Sequence, residues 1–129
     1  RYTVVTGVQT CALPISTMDC LFCKIVAGEI PSDKLYEDDV CYAFKDIDPQ
    51  APVHFLVVPK AHITGADQIT EDNAPTVGRI FAVIARLTQQ LGCGGDYRVV
   101  TNCGKLAGQT VGHLHFHVLA GRSLAWPPG

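Results

Sequence analysis

The feature that most constrains the fold is an alternation of histidine and apolar residues near the end of the chain. His113, His115 and His117 are separated by single apolar residues in the segment VGHLHFHVLAG. Because successive side chains of a β-strand point to opposite faces, this period of two predicts a strand over 113–121. The histidines would form a row on one face, about 6.7 Å apart. The apolar residues between them would cover the hydrophobic core.

Apolar spacing and turn residues divide the rest of the chain into short elements. The segment ITEDNAPTVGRIFAVIARLTQQLG has apolar residues at helical spacing, with Thr70 or Asn73 as a cap, Pro75 in the first turn and Gly92 at the end. The shorter elements are a helix over 22–27 and strands over 34–37, 40–46, 54–59 and 96–102. About five strands with short links, one long helix and one short helix indicate an α+β fold with an antiparallel sheet.

Composition limits the class of protein. Apolar residues make up 47% of the 129, enough for the core of one domain. The formal net charge is −2 and there is no basic run, so a nucleic-acid partner is not expected. No apolar stretch approaches the roughly 20 residues that span a bilayer. Six scattered cysteines without a secretory signal indicate a cytoplasmic protein with reduced thiols.

The first 17 residues differ from the remainder. They show no helical or strand period, and Val5–Ile15, VTGVQTCALPI, matches a translated sequencing-library adapter. We therefore expect residues 1–17 to be a disordered, non-native segment and residues 18–129 to form a single domain. The alternative is a genuine disordered arm.

The histidine row permits two kinds of chemistry. Neighbouring imidazoles on a strand can bind a metal ion, or one can act as a nucleophile that the others support. The preceding loop contains Gly104, Gly108 and Gly112, and the amides and hydroxyl of 108–110 suit a phosphate group. A neutral imidazole that attacks phosphorus needs one nitrogen free and the other holding its proton against an acceptor.

A pair of cysteines, Cys20 and Cys23, forms a second candidate site. The Cys-x-x-Cys spacing fits half of a zinc site, a redox pair or a chance occurrence. Structural zinc takes four nitrogen or sulfur ligands, and His62 and His113 are the candidates for the other two.

The segments GQTVGHLHFHVL, AFKDIDPQAPVHFLVVPKAHI and the terminal WPPG together resemble the histidine triad (HIT) family, and the last resembles its Hint branch. The resemblance runs over 18–129. It implies a homodimer with a shared sheet. It also implies a hydrolase that cleaves the P–N bond of purine nucleoside 5′-monophosphoramidates through a nucleotidyl-histidine intermediate.

The resemblance also implies catalytic and metal-binding roles. His115 matches the nucleophile and His117 a phosphate contact, while His54 matches the histidine that aids proton transfer. Thr110 lies where relatives place a hydroxyl near the leaving group. Some bacterial relatives bind zinc with the residues that match Cys20, Cys23, His62 and His113.

The nucleotide-binding positions follow in the same way. Asp46 matches the carboxylate that accepts both ribose hydroxyls, and Trp126 is expected near the partner's site. Polar positions on the phosphate side are Asn102 and Gln109. The walls around the base are matched by Phe44, Ile47, and Phe22 or Ile25.

Three other functions compete with phosphoramidate hydrolysis. One is hydrolysis of dinucleoside polyphosphates or nucleotidyl transfer within the same superfamily. Another is a nucleotide-binding dimer that has lost catalysis. The last is a metal-storage module that uses all three histidines of the row.

Overall fold

The computed structural model of the protein describes residues 19–129, so the interpretation of residues 1–17 lies outside this part of the chain. Two helices and five strands follow one another along it. They are α1 (Leu21–Val26), β1 (Lys34–Glu37), β2 (Cys41–Lys45), β3 (Val53–Pro59), α2 (Ala74–Gln90), β4 (Tyr97–Val100) and β5 (Phe116–Ala120). Short 3₁₀ turns lie at Ala66–Gln68 and Lys105–Ala107.

The strands form one antiparallel sheet in the order β1-β2-β3-β5-β4, which confirms the predicted α+β class. Strand β3 is central because its apolar run VHFLVVP can be buried on both faces. It pairs with β2 and β5. Its register with β5 sets His54 opposite Leu119 and Leu56 opposite His117, so both imidazoles lie on the same face of the sheet.

The two helices cover opposite faces of the sheet. Helix α2 supplies one apolar face, and it packs against the apolar residues that separate the histidines. This core contains Phe55, Val57, Ile80, Val83, Ile84, Leu87, Leu114, Phe116 and Val118. Helix α1 covers the other face, where a smaller core contains Phe22, Ile25, Tyr42, Phe44, Leu56 and Val58.

The ends of α2 follow its sequence, with one difference. Pro75 lies in the first turn, and Gly92 follows the helix at φ +81°, a left-handed conformation that glycine adopts without strain. Asn73 occupies the cap position but its side chain bonds no helix amide. Its Oδ1 accepts instead from the amide of Thr70 at 2.6 Å. Within residues 19–129, no helix has both the length and the apolar character needed to cross a bilayer.

The predicted start of the last strand is wrong. Strand β5 begins at Phe116, so His113 and His115 precede the strand, and both are buried on the face of the sheet that α1 covers. The alternation itself persists through the irregular segment. Two hydrogen bonds hold that segment: the amide of Leu114 donates to the carbonyl of Ile63 at 2.6 Å, and the Thr101 hydroxyl donates to the carbonyl of His115 at 2.8 Å.

Candidate active site and metal cluster

The hydrogen bonds of His115 define which of its nitrogens is available. Its Nδ1 lies 2.7 Å from the main-chain carbonyl oxygen of His113. Since a carbonyl oxygen only accepts, Nδ1 carries the proton and Nε2 carries the lone pair. Within residues 19–129 no hydrogen bond engages Nε2, and His115 lines a cavity. This is the arrangement that a nucleophilic imidazole requires, although only 4% of the residue is exposed.

His54 and His117 form a relay beside it. The amide of Gln50 donates to Nδ1 of His54 at 3.0 Å, so the proton of His54 lies on Nε2. That nitrogen donates to Nδ1 of His117 at 2.9 Å, which leaves His117 with its own proton on Nε2. The rings of His115 and His117 meet edge to face, with centroids 5.0 Å apart. His54 therefore lies behind His117 rather than directly behind His115.

A carboxylate borders this relay. Oδ2 of Asp46 lies 3.4 Å from Nε2 of His54 and 3.8 Å from Nδ1 of His117, while Oδ1 accepts from the amide of Asp48 at 2.8 Å. These three side chains could in principle bind a metal ion. The nitrogens of His54 and His117, however, are closer than the ~3.3 Å that two nitrogens on one tetrahedral zinc would keep. The contact is a hydrogen bond.

Burial keeps the imidazoles that face the cavity neutral. Desolvation lowers the pKa of His115, against the favourable hydrogen bond to the carbonyl of His113. Burial, and then the neighbouring His115 and His54, lower the pKa of His117 from 6.5 to about 4. Near pH 7 both rings are therefore uncharged, so the lone pair of His115 is available.

The cavity has a volume of about 240 Å³ and is lined by both polar and apolar side chains. The polar lining residues are Asp46, Thr110, His115 and His117. The apolar walls are Leu21, Phe22, Ile25, Phe44, Ile47, Leu56 and Val111. A group with a charged head and a flat apolar body would match this division. The sequence-predicted wall residues Phe22, Phe44 and Ile47 are thus brought together.

Two predicted polar residues do not line the cavity. The side chain of Gln109 joins the glycine-rich loop to the segment after β3: its Oε1 accepts from the amide of Gly104 at 2.8 Å, and its Nε2 donates to the carbonyls of Thr64 at 2.7 Å and Val111 at 3.0 Å. Asn102 is half-buried beside Gly108. In this chain Gln109 shapes the loop that carries Thr110.

Trp126 lies apart from the cavity, with 82% of its surface exposed. The guanidinium of Arg98 holds its segment against β4, donating to the carbonyls of Ala125 at 2.8 Å and Leu124 at 3.4 Å. The predicted position of Trp126 beside a partner's site stays a prediction.

Cys20, Cys23, His62 and His113 come together as the second site. Nδ1 of His113 lies 3.3 Å from Sγ of Cys20 and 3.5 Å from Sγ of Cys23, and Nδ1 of His62 lies 3.2 Å from Sγ of Cys23. All four donor atoms lie within 4.8 Å of one another. Hydrogen bonding from Cys23, and then from His113 and His62, lowers the pKa of Cys20 against the effect of burial, and the same pairing raises the pKa of Cys23.

This donor set fits zinc. Tetrahedral zinc with its usual bond lengths separates sulfur from nitrogen by roughly 3.6 Å, close to the distances in the cluster. Nε2 of His113 donates to the carbonyl of Pro59 at 2.8 Å, which directs the Nδ1 lone pair at the thiols. Nε2 of His62 is buried without a hydrogen-bond partner in the described part of the chain, so His62 lacks that outer support. The row histidines are thus divided, which does not favour one metal site built from all three.

The chain is similar in sequence to known proteins. The HIT domain family matches residues 27–124. An uncharacterized HIT-like protein of Synechococcus elongatus is 49% identical over 111 residues, covering 86% of this chain and 97% of that protein.

The chain belongs to the HIT family.

Solved structures of HIT proteins agree in fold. A HIT family hydrolase from Legionella pneumophila Philadelphia 1 is 43% identical and has a TM-score of 0.84, covering 86% of this chain and all of that one. A histidine triad nucleotide-binding protein from Candida albicans is 37% identical with a TM-score of 0.71, covering 84% and 83%. Both neighbours thus share the HIT fold of this chain, and the first of them is named a hydrolase.

Sequence reasoning missed the groups that fix the tautomers at the HIT site and the hydroxyl that holds the segment of His115. They are the carbonyls of His113 and Pro59, the amide of Gln50 and the hydroxyl of Thr101. Three of the four are main-chain groups, which every residue carries, so no side-chain pattern distinguishes them. Thr101 alone had a signal, as a hydroxyl placed late in a predicted strand.

Proposed function

We propose that this HIT protein hydrolyses purine nucleoside 5′-monophosphoramidates, with His115 as the nucleophile. The observation that carries the proposal is the hydrogen bond from Nδ1 of His115 to the carbonyl of His113, at 2.7 Å, which leaves Nε2 free at the cavity. An imidazole held in this way by a main-chain acceptor is a nucleophile whose orientation is set before substrate arrives.

In the first step, Nε2 of His115 forms a bond to the α-phosphorus and the P–N bond breaks. The departing amine nitrogen takes the electron pair and gains a proton delivered from solvent through the hydroxyl of Thr110. His117, with its proton on Nε2, donates to a phosphate oxygen and stabilises the charge that develops there. The relay from His54 keeps His117 in this tautomer.

In the second step, water attacks phosphorus and the bond from phosphorus to His115 breaks. The electron pair returns to Nε2, and the proton of the water passes to solvent. The product is a nucleoside monophosphate, and the enzyme regains its starting tautomer.

The cavity supports the nucleotide class of substrate. A phosphate among Thr110, His115 and His117 would leave the base against the apolar walls of Phe22, Phe44 and Ile47. Asp46 also lines the cavity, and its free carboxylate lone pairs can accept from ribose hydroxyls.

We further propose that zinc has a structural role and that two chains assemble. Zinc bound by Cys20, Cys23, His62 and His113 would supply structural cross-linking of α1 to the segment around the nucleophile, not Lewis-acid chemistry at phosphorus. We also propose a cytoplasmic homodimer that places Trp126 near the partner's cavity. Residues 18–129 would form its domain, and residues 1–17 would be non-native.

A substrate panel tests this function. The purified, zinc-loaded chain should hydrolyse adenosine monophosphate joined to an amine with a kcat/KM at least about 100-fold above that for dinucleoside tri- and tetraphosphates. Acid quenching should capture a nucleotidylated protein, with the adduct mapped to His115 by mass spectrometry. Preference for the dinucleotides would instead favour the other hydrolase of the superfamily. Tight nucleotide binding without turnover would favour a purely binding dimer.

A further inference from the structure

The two histidine clusters share one residue, His113. The ring of His113 belongs to the metal cluster, with Nδ1 3.3 and 3.5 Å from the two cysteine sulfurs. Its main-chain carbonyl belongs to the candidate active site, because it accepts the proton of Nδ1 of His115 at 2.7 Å. A force that reorients His113 therefore moves the acceptor that selects the tautomer of His115.

A second connection runs through α1. Phe22 lies between the two cysteines in sequence, and its ring packs edge-on against His115 with centroids 5.0 Å apart and against His113 at 6.0 Å. Leu21 and Ile25 of the same helix also line the cavity. A helix of six residues is too short to be stable alone, so its position depends on what anchors it. The cysteines, at Cys20 and Cys23, are part of that anchor.

The segment that carries His115 is not paired with a neighbouring strand. It precedes β5, and its hydrogen bonds run from Leu114 to Ile63, the neighbour of His62, and from Thr101 to His115. His54 and His117, in contrast, lie on the paired strands β3 and β5, whose register places them independently of the metal cluster. Of His54, His115 and His117, only His115 precedes the paired strands, and one of the two hydrogen bonds of its segment leads to the neighbour of the metal ligand His62.

We propose that a divalent metal in the Cys20–Cys23–His62–His113 cluster sets the tautomer and orientation of His115 and seats the α1 wall of the cavity. His113 and Phe22 are then positioning residues. The catalytic consequence rests on the proposed function, but the structural coupling does not.

Ring-nitrogen NMR of the full chain tests the coupling without substrate. Histidine labelled with ¹⁵N distinguishes a protonated ring nitrogen from one with a lone pair, and the His115→Gln and His54→Gln variants assign the two signals. With Zn²⁺ added, His115 should carry its proton on Nδ1. After chelation at an alkaline pH, where the rings are neutral, it should exchange between tautomers while His54 keeps its signal. An unchanged His115, or equal changes in both residues, would overturn the proposal.

Hydrogen exchange of two matched cysteine variants covers the possibility that chelation unfolds the chain. Cys23→Ser weakens the cluster, whereas Cys93→Ser makes the same change at the far end of α2. In Cys23→Ser, amides of 19–27 and 111–117 should exchange about tenfold or more faster while α2 stays protected, and Cys93→Ser should resemble the parent chain. Loss of protection in all segments together would show that the metal supports the whole fold and would overturn the local coupling.

The outcomes separate this inference from the proposed function. If chelation changes the tautomer of His115 but the zinc-loaded chain does not hydrolyse phosphoramidates, the proposed function is contradicted and the coupling is not. A chain that hydrolyses them equally well with and without metal, with no tautomer change, contradicts the coupling alone.

Discussion

The metal cluster and the catalytic cluster use the same imidazole side chain for opposite tasks. In His113, Nε2 donates to the carbonyl of Pro59 and the Nδ1 lone pair faces two thiols. In His115, two residues later, Nδ1 donates to a carbonyl and the Nε2 lone pair faces the cavity. The residue type permits either role, and the position of one main-chain acceptor decides between them.

Loss of the proposed nucleophile should have the greatest consequence for turnover. His115→Ala removes the whole imidazole that we propose as the nucleophile, so kcat should fall about 10⁴-fold or more while the fold is retained. Steady-state turnover of a phosphoramidate, with circular dichroism as the folding check, measures this. Turnover within tenfold of the parent chain would refute the assigned role.

The next effect concerns the metal side. Cys20→Ser should abolish stoichiometric zinc and lower the free energy of unfolding by roughly 3–5 kcal/mol, because one cluster ligand is lost. The cap of α1 should persist, since serine can accept from the amide of Cys23 as the thiol of Cys20 does. Elemental analysis and denaturant unfolding provide the measurements, and Cys93→Ser serves as the matched control. If parent and variant bind no zinc and unfold alike, the cluster is not a structural metal site.

The free energy of unfolding should depend on pH through His117. The pKa of His117 is lowered to about 4 in the folded chain against 6.5 unfolded, so the unfolded state binds the proton more readily. Its contribution to stability is therefore present above pH 6.5 and is lost as pH falls towards 4, to an extent of roughly 1–3 kcal/mol.

The measurement is the free energy of unfolding between pH 7 and 4 for zinc-loaded parent and His117→Gln proteins. Acid also protonates the cluster cysteines, but this happens in both proteins, so only the difference between their slopes reports His117. Parallel curves would contradict the prediction.

The smallest effect tests the junction between the clusters. Thr101→Val keeps the shape of the side chain but removes the hydrogen bond to the carbonyl of His115, at 2.8 Å. We expect a loss of about 1 kcal/mol in stability and a severalfold fall in kcat with little change in KM. A matched Thr88→Val variant, whose hydroxyl bonds only to carbonyls within α2, should lose stability without this change in kcat.

The sequence predicted most elements because their periods are local. The amphipathic run of α2 and the apolar run of β3 each have a pattern that packing confirmed. The predicted strand over 113–121 was wrong in its first residues, because the alternation of side chains continues through His113–His115 without strand pairing. Of the polar site residues, Thr110 reaches the cavity, whereas Gln109 bonds the loop together, a choice that depends on the distant carbonyl of Thr64.

By itself the sequence determined which face of each element is apolar, which side chains can ligate metal, and that three histidines share one short segment. These properties follow from residue type and spacing. Only the tertiary structure decided that His113 turns to the thiols and His115 to the cavity. The physical reason is that an imidazole has two nitrogens and one proton, and the proton goes to whichever nitrogen the folded main chain places against a carbonyl oxygen.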